Sequence, residues 1–118
     1  MRVFVYGSLK QGLELHHLLA SSRFLGTAVT APLYRMFSLG EYPGLVEWPD
    51  GLAVRGELYE VSEETLQLLD DAEGTDAGLY VRREIRLQSP HADQHTEAWF
   101  WLGSTSDRTD AGTDWKPI

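Results

Sequence analysis

The sequence predicts an α+β domain built around a mostly antiparallel sheet. Short apolar or alternating segments recur along the whole chain, and only one segment has a clear helical period. The length of 118 residues, of which 42% are hydrophobic and 24% charged, fits a single domain, residues 1–118, with one core. Strands this numerous in so short a chain could curl into a small barrel, which would remove exposed edges.

The first predicted strand is the apolar run Val3-Phe4-Val5-Tyr6, which ends at Gly7 and is typical of a strand buried on both faces. A short helix is expected within 13–19, where leucines follow Gly12. Tyr42-Pro43-Gly44 has the composition of a turn. Further strands are predicted from apolar or alternating patterns at 24–31, 33–39, 45–48, 54–61, 80–87 and 97–102.

The clearest helix begins after Ser62, a good N-cap, and continues through Glu63 and Glu64, which complement the positive helix N-terminus. Apolar residues then recur at helical spacing and Gly74 ends the helix. The tail, 103–118, is polar and rich in Thr, Asp and Gly, so it is predicted to be irregular.

The charge balance excludes several classes of function. The net charge of −8, from 10 basic and 18 acidic residues, argues against a nucleic-acid partner or an anionic membrane. The absence of cysteine excludes disulfides, thiolate nucleophiles and thiolate metal sites. No apolar run approaches the roughly 20 residues of a membrane-spanning helix, and we expect the protein in the cytoplasm.

A candidate proton-transfer group lies at the end of the predicted helix. Asp70, Asp71 and Glu73 face the negative end of the helix dipole, an unfavourable placement that, with mutual repulsion, would raise a carboxylate pKa. A raised pKa suits a general acid/base. From spacing alone, a solvated acidic helix end remains an open alternative.

A candidate ligand cradle lies at Tyr6-Gly7-Ser8-Leu9. A strand that ends in Gly-Ser and leads towards a helix leaves backbone N–H groups free to bind anionic or carbonyl oxygens, and Gly7 would let a ligand approach the backbone closely. A plain strand-to-loop turn is the alternative. The segment is not a phosphate loop, because the spacing of Gly and Lys does not match.

No metal site is predicted. His16 and His17 are adjacent and point in different directions, and His91 and His95 lie in a loop. In the strand that carries Arg82 and Arg83, alternation predicts that one of the two faces inward and pairs with an acid.

Six motifs, in order, make the chain similar to the γ-glutamylcyclotransferase-like family, which includes AIG2-like and γ-glutamylamine cyclotransferase-like proteins. The matching segments are Tyr6-Gly7-Ser8-Leu9, Leu33-Tyr34 with Tyr42-Pro43-Gly44, Gly56-Glu57-Leu58-Tyr59, Leu69-Asp70-Asp71-Ala72-Glu73-Gly74, Tyr80-Val81-Arg82 and Thr113-Asp114-Trp115. Each motif alone is weak, whereas the ordered set is specific.

This resemblance implies a small mixed barrel of about six strands with flanking helices. It implies that the loop Tyr6 to Leu9, including Gly7 and Ser8, holds a glutamyl group through backbone N–H groups, that Glu73 is the acid/base, and that Tyr80 lines the site. The family activity is the release of 5-oxoproline from a γ-glutamyl amine or amide, chemistry that needs no metal or cofactor. The alternative is a non-catalytic module that binds a small carboxylate-bearing metabolite. The leaving amine and the oligomeric state are not encoded in any recognisable pattern.

Overall fold

The computed structural model describes residues 1–7, 9–13 and 15–116, and over these residues it confirms the predicted α+β class. The α-helix, α1, spans Glu63–Glu73, and a single turn of 3-10 helix spans His16–Leu19. The strands, numbered β1 to β8 in chain order, are Arg2–Val5, Arg23–Val29, Tyr34–Ser38, Pro43–Glu47, Arg55–Glu60, Tyr80–Glu84, Glu97–Trp101 and Asp110–Gly112.

The strands form two sheets. The larger has the order β2-β5-β1-β7-β6 and the smaller the order β4-β3-β8. All strand pairs are antiparallel except β1 with β7, which are parallel. The sheets pack together as an open, barrel-like arrangement, which agrees with the predicted small mixed barrel, and the described residues contain eight strands where about six were expected.

Strand β1 lies at the centre of the larger sheet and is buried on both faces, as predicted. Phe4 packs in one core with Met36 and Leu45 of the smaller sheet. Val3 and Val5 point the other way, into a second core with Leu69 of α1 and Trp99 of β7. Because successive side chains of a strand face opposite sides, β1 joins the two cores.

Helix α1 begins and ends at the predicted residues. The Ser62 side chain accepts a hydrogen bond from the Thr65 N–H, and Gly74 takes a left-handed conformation with φ of 69°. The Gly74 N–H donates to the carbonyls of Asp70 and Asp71, which satisfies acceptors at the helix end. Leu69 is fully buried and fixes the helix against the larger sheet.

The predicted turn at Tyr42-Pro43-Gly44 is wrong for its last two residues, since Pro43 and Gly44 begin β4. The turn lies one step earlier: the Leu39 N–H donates to the Tyr42 carbonyl at 2.9 Å, and Gly40 has φ of 110°. A proline is tolerated at the first position of a strand because its missing N–H is not needed there. A Cβ on Gly44 would lie 2.7 Å from Trp101 Cβ, so this glycine permits close approach of β4 to β7.

The predicted irregular tail is also corrected. Within 103–116, β8 pairs with β3, and Trp115 is 7% exposed and packs in the same core as Phe4. Because the segment is otherwise polar, its composition did not indicate that its one aromatic residue, Trp115, is buried. The helix expected within 13–19 is reduced to the 3-10 turn His16–Leu19. No helix in the described part of the chain is long and apolar enough to cross a membrane.

We expect Ser62→Ala to lower the free energy of unfolding by about 1 kcal/mol, because the variant loses the side-chain acceptor that caps α1. Urea denaturation measures the change. Ser62→Asp keeps an acceptor and is the matched control, expected to stay close to wild type. Equal stability of the alanine and aspartate variants would contradict the cap's contribution.

Candidate active site

A cavity of about 280 Å³ opens where the chain leaves β1. Its walls come from the end of β1 and the following turn, the end of α1, the β3–β4 turn and strands β6 and β7. The described residues that the family resemblance places in a site all line this cavity: Tyr6, Gly7, Leu9, Glu73 and Tyr80. Asp70 and Asp71, the other acids of the predicted helix end, do not line it. Ser8, predicted with them, lies outside the described residues.

Glu73 is the last residue of α1 and points its carboxylate into the cavity wall. Burial raises the pKa of this carboxyl from its usual value of 4.5 to about 7. Among the described residues, no cation and no hydrogen-bond donor contacts the carboxylate. The sequence predicted a raised pKa from the helix dipole and from neighbouring acids, and desolvation is the cause that the structure provides.

Asp70, one helical turn before Glu73, has a different environment. Its carboxylate accepts from Arg82 Nη1 at 2.6 Å and from Trp99 Nε1 at 2.9 Å. Arg82 also donates from Nε to Glu97 at 2.9 Å. The predicted inward arginine is therefore Arg82, which fixes the end of α1 to strands β6 and β7 and does not pair with Glu73.

The two tyrosines are structural walls of the cavity. The Tyr6 hydroxyl donates to the Trp99 carbonyl at 2.6 Å and accepts from the Leu45 N–H at 3.2 Å. The Tyr80 hydroxyl donates to the Pro43 carbonyl at 2.8 Å. Burial is the largest cause of the raised pKa of both phenols, and the nearby charge of Glu73 adds to it.

The loop after β1 contributes Gly7 and Leu9 to the lining of the cavity. The Lys10 N–H donates to the Gly7 carbonyl at 3.0 Å, which closes a turn, and the Leu9 carbonyl contacts His16 Nδ1 at 3.0 Å. The Leu9 N–H has no acceptor among the described residues, so it is available to a ligand oxygen.

Gly7 is needed for a reason other than ligand approach. A Cβ at this position would lie 2.9 Å from Cγ and Cδ of Pro43, the residue that begins β4. Gly7 therefore lets the loop pack directly on the proline ring. The sequence did not predict this contact, since Pro43 was assigned to a turn.

Other residues line the cavity as well, among them Trp99, Glu41 and Tyr42. Trp99 was not among the predicted site residues, and it both lines the cavity and hydrogen-bonds Asp70. Glu41 and the 46%-exposed Tyr42 lie at the rim, in the β3–β4 turn.

The histidines lie away from this cavity. The ring nitrogens of His95 contact Glu84 at 2.8 Å and Glu97 at 2.9 Å on the surface. In residues 1–7, 9–13 and 15–116, no group of three or more His, Asp or Glu side chains is arranged to hold a metal ion. A metal-independent site remains a prediction.

Comparison with known proteins gives a consistent result. The family model described as "Gamma-glutamyl cyclotransferase, AIG2-like" matches residues 3–117. A protein of Vibrio cholerae serotype O1, provisionally named a gamma-glutamylcyclotransferase, is 39% identical over 106 residues, which are 90% of this chain and 84% of that protein. The gamma-glutamylcyclotransferase family protein YtfP of Escherichia coli K12 is 37% identical over 102 residues, covering 86% of this chain and 81% of its own.

Solved structures show the same architecture. The solution NMR structure of YtfP from Escherichia coli superposes with a TM-score of 0.72 at 34% identity, covering 98% of this chain and 96% of that one. The crystal structure of an AIG2-like protein from Mus musculus gives a TM-score of 0.70 at 26% identity, with coverage of 99% and 95%.

The burial of Glu73 predicts a pH-dependent effect on stability. Because its pKa is about 7 when folded and near 4.5 when unfolded, the folded state binds more protons between these values, and stability falls as the pH rises through that window. We expect Glu73→Gln to be more stable than wild type at pH 8, by on the order of 2 kcal/mol, and to differ little at pH 4.

Urea denaturation at both pH values measures this effect. Asp71→Asn removes an exposed carboxylate from the same helix end and should show no comparable gain at pH 8. The interpretation fails if Glu73→Gln has the same stability increment at both pH values.

Proposed function

Because the chain belongs to the γ-glutamyl cyclotransferase, AIG2-like family, we propose that it is an enzyme that cyclises the γ-glutamyl group of a small amine or amide and releases 5-oxoproline and the free amine. One observation carries the proposal. A buried, unpaired carboxylate with a pKa of about 7, Glu73, shares a cavity with the backbone loop that contains Gly7 and Leu9. We expect the substrate to be a small γ-glutamyl compound of the cytoplasm.

The reaction places few demands on a protein. The α-amino nitrogen of the substrate attacks its own γ-carbonyl carbon, so the nucleophile and the electrophile belong to one molecule. Holding the glutamyl chain in a folded conformation makes the attack intramolecular, and effective molarities of about 10⁵–10⁸ M are known for well-oriented cases. A cavity of about 280 Å³ walled by fixed side chains provides such confinement.

Glu73 has the properties required for the proton transfers. As a carboxylate it removes a proton from the α-ammonium, which frees the nitrogen lone pair for attack on the γ-carbon. As a carboxylic acid it then donates to the leaving nitrogen, and the original C–N bond breaks. The α-nitrogen loses two protons in total, and both end on the leaving amine, which departs as an ammonium ion. A pKa near 7 lets one group perform both steps at neutral pH.

The oxyanion that forms on the γ-carbonyl oxygen needs a hydrogen-bond donor. The N–H of Leu9, a residue that lines the cavity, has no acceptor among the described residues and is suited to this role or to binding the substrate carboxylate. The hydroxyls of Tyr6 and Tyr80 already donate to the carbonyls of Trp99 and Pro43. In this proposal the two tyrosines shape the cavity, and the loop backbone supplies the polar contacts.

A panel of γ-glutamyl amines, γ-glutamyl amino acids and ε-(γ-glutamyl)lysine, assayed for 5-oxoproline, tests the activity. We expect at least one substrate to be turned over and Glu73→Gln to reduce kcat by about 10²-fold or more, because the general acid/base is lost. Binding of 5-oxoproline, measured by calorimetry, should persist in the variant.

Asp71→Asn is the matched control, since it removes a carboxylate from the same helix end outside the cavity, and it should keep wild-type kcat. Full activity of Glu73→Gln would refute its assigned role. Binding of 5-oxoproline without turnover of any substrate would favour the non-catalytic binding module.

The pH dependence of kcat/KM gives an independent test. The carboxyl must be ionised in the free enzyme to accept a proton, so kcat/KM should rise with pH and reach half its plateau near pH 7. Steady-state assays between pH 5 and 8.5 measure the curve. A half-maximal point near pH 4.5, the usual value for glutamate, would show that the working base is not a buried Glu73.

A further inference from the structure

Lys10 carries a buried positive charge directly after the turn that enters the cavity. The residue is 9% exposed, and its Nζ lies 2.9 Å from Asp114 Oδ1 and 2.8 Å from the Trp115 carbonyl oxygen. Lysine is rarely buried unless it is paired, because removal from water is costly. The hydrogen bond from Lys10 is also the largest cause of the lowered pKa of Asp114.

Lys10 therefore makes two connections of different kinds. Its backbone N–H closes the turn by donating to the Gly7 carbonyl at 3.0 Å. Its side chain reaches across to the tail, more than a hundred residues along the chain. The next residue is held as well, since the Gln11 N–H donates to Glu57 Oε1 at 2.8 Å.

The residues on either side of Asp114 are held in place by contacts of their own. Trp115 is packed in the core with Phe4 and Leu58, and the Arg55 N–H donates to the Thr113 carbonyl at 2.7 Å. The segment that receives the Lys10 charge is thus fixed on both sides of Asp114. Lys10, Asp114 and Trp115 do not line the cavity, so any effect they have on a ligand must act through the loop.

We propose that Lys10, Asp114 and the Trp115 carbonyl form a clamp that holds Gly7 and Leu9 in place at the wall of the cavity. Lys10 and Asp114 are positioning residues in this scheme, which rests on the proposed function for its effect on turnover. Charge-assisted hydrogen bonds to a buried ammonium provide directional restraint, and small displacements of a positioned donor reduce rate strongly. The clamp gives a physical role to the Asp114-Trp115 motif, which the proposed reaction does not use.

The chain provides a matched ion pair that lacks this role. Arg35 Nη1 contacts Asp110 Oδ2 at 2.6 Å and joins β3 to β8, so it also ties the tail to the body of the domain. It makes no contact with the Gly7–Lys10 turn and does not line the cavity. A general loss of tail stability should appear in variants of either pair, and displacement of the loop only in variants of Lys10 or Asp114.

The test compares Lys10→Met, which keeps the aliphatic stem and removes the charge, with Asp114→Asn and Arg35→Met. We expect Lys10→Met to increase hydrogen exchange of the residue-10 amide, which donates to the Gly7 carbonyl in the wild type, by at least tenfold. The same variant should reduce kcat/KM by at least tenfold. The pH of half-maximal kcat/KM should not move, because Glu73 lies on α1. Asp114→Asn should change both quantities in the same direction but more weakly. The double variant, Lys10→Met with Asp114→Asn, should be no worse than Lys10→Met alone. Lys10→Arg, which keeps a positive charge, should retain part of the kcat/KM that Lys10→Met loses.

Arg35→Met should lose about as much thermal stability as Lys10→Met. Its amide exchange and its kcat/KM should nevertheless stay near the wild-type values. The inference is overturned if exchange of the residue-10 amide is unchanged in Lys10→Met, or if Arg35→Met lowers kcat/KM equally. If Lys10→Met does not fold, Asp114→Asn decides by the same criteria. If wild type releases no 5-oxoproline from any substrate of the panel, the proposed function fails, and exchange of the residue-10 amide in the three variants still decides whether the clamp exists.

Discussion

Strand β1 has no solvent-exposed face, and this burial on both sides determines where the cavity can form. Phe4 is packed against the smaller sheet, while Val3 and Val5 are packed towards α1. The chain that leaves β1 therefore emerges between the two cores, next to the end of α1. Gly7 and Leu9 on one side and Glu73 on the other are brought together by the packing of hydrophobic side chains, without direct bonding between them.

The polar groups packed around Glu73 are bonded to partners other than Glu73. Arg82 pairs with both Asp70 and Glu97, and the phenols of Tyr6 and Tyr80 donate to backbone carbonyls. Glu73 is left partly buried and unpaired, which is unfavourable for folding and favourable for proton transfer near neutral pH. Function and stability thus place opposite demands on the same carboxylate, while the Arg82 contacts fix the helix that carries it.

Features with a local physical cause could be predicted from the sequence. The cap at Ser62, the end of α1 at Gly74 and the double burial of β1 follow from residues close together in the chain. The ordered motifs identified the family and placed Glu73 beside the loop after β1. Contacts between distant segments could not be predicted: Gly7 against Pro43, Trp115 in the core, and desolvation as the cause of the raised pKa of Glu73 all depend on how the sheets meet. Local composition instead suggested a turn at Pro43 and an irregular tail.

The position of β1 also has a consequence for the order in which the domain is assembled during synthesis. This strand pairs with β5, through Arg2 and Glu60, and with β7, through Val3 and Glu97, so its neighbours are translated long after it. Both hydrogen-bonding edges of a central strand stay open until those segments arrive, and closing such long loops is slow. The cavity needs β7 as well as β1, so it can form only after most of the domain has been synthesised, although the residues that follow β1 are among the first to be made.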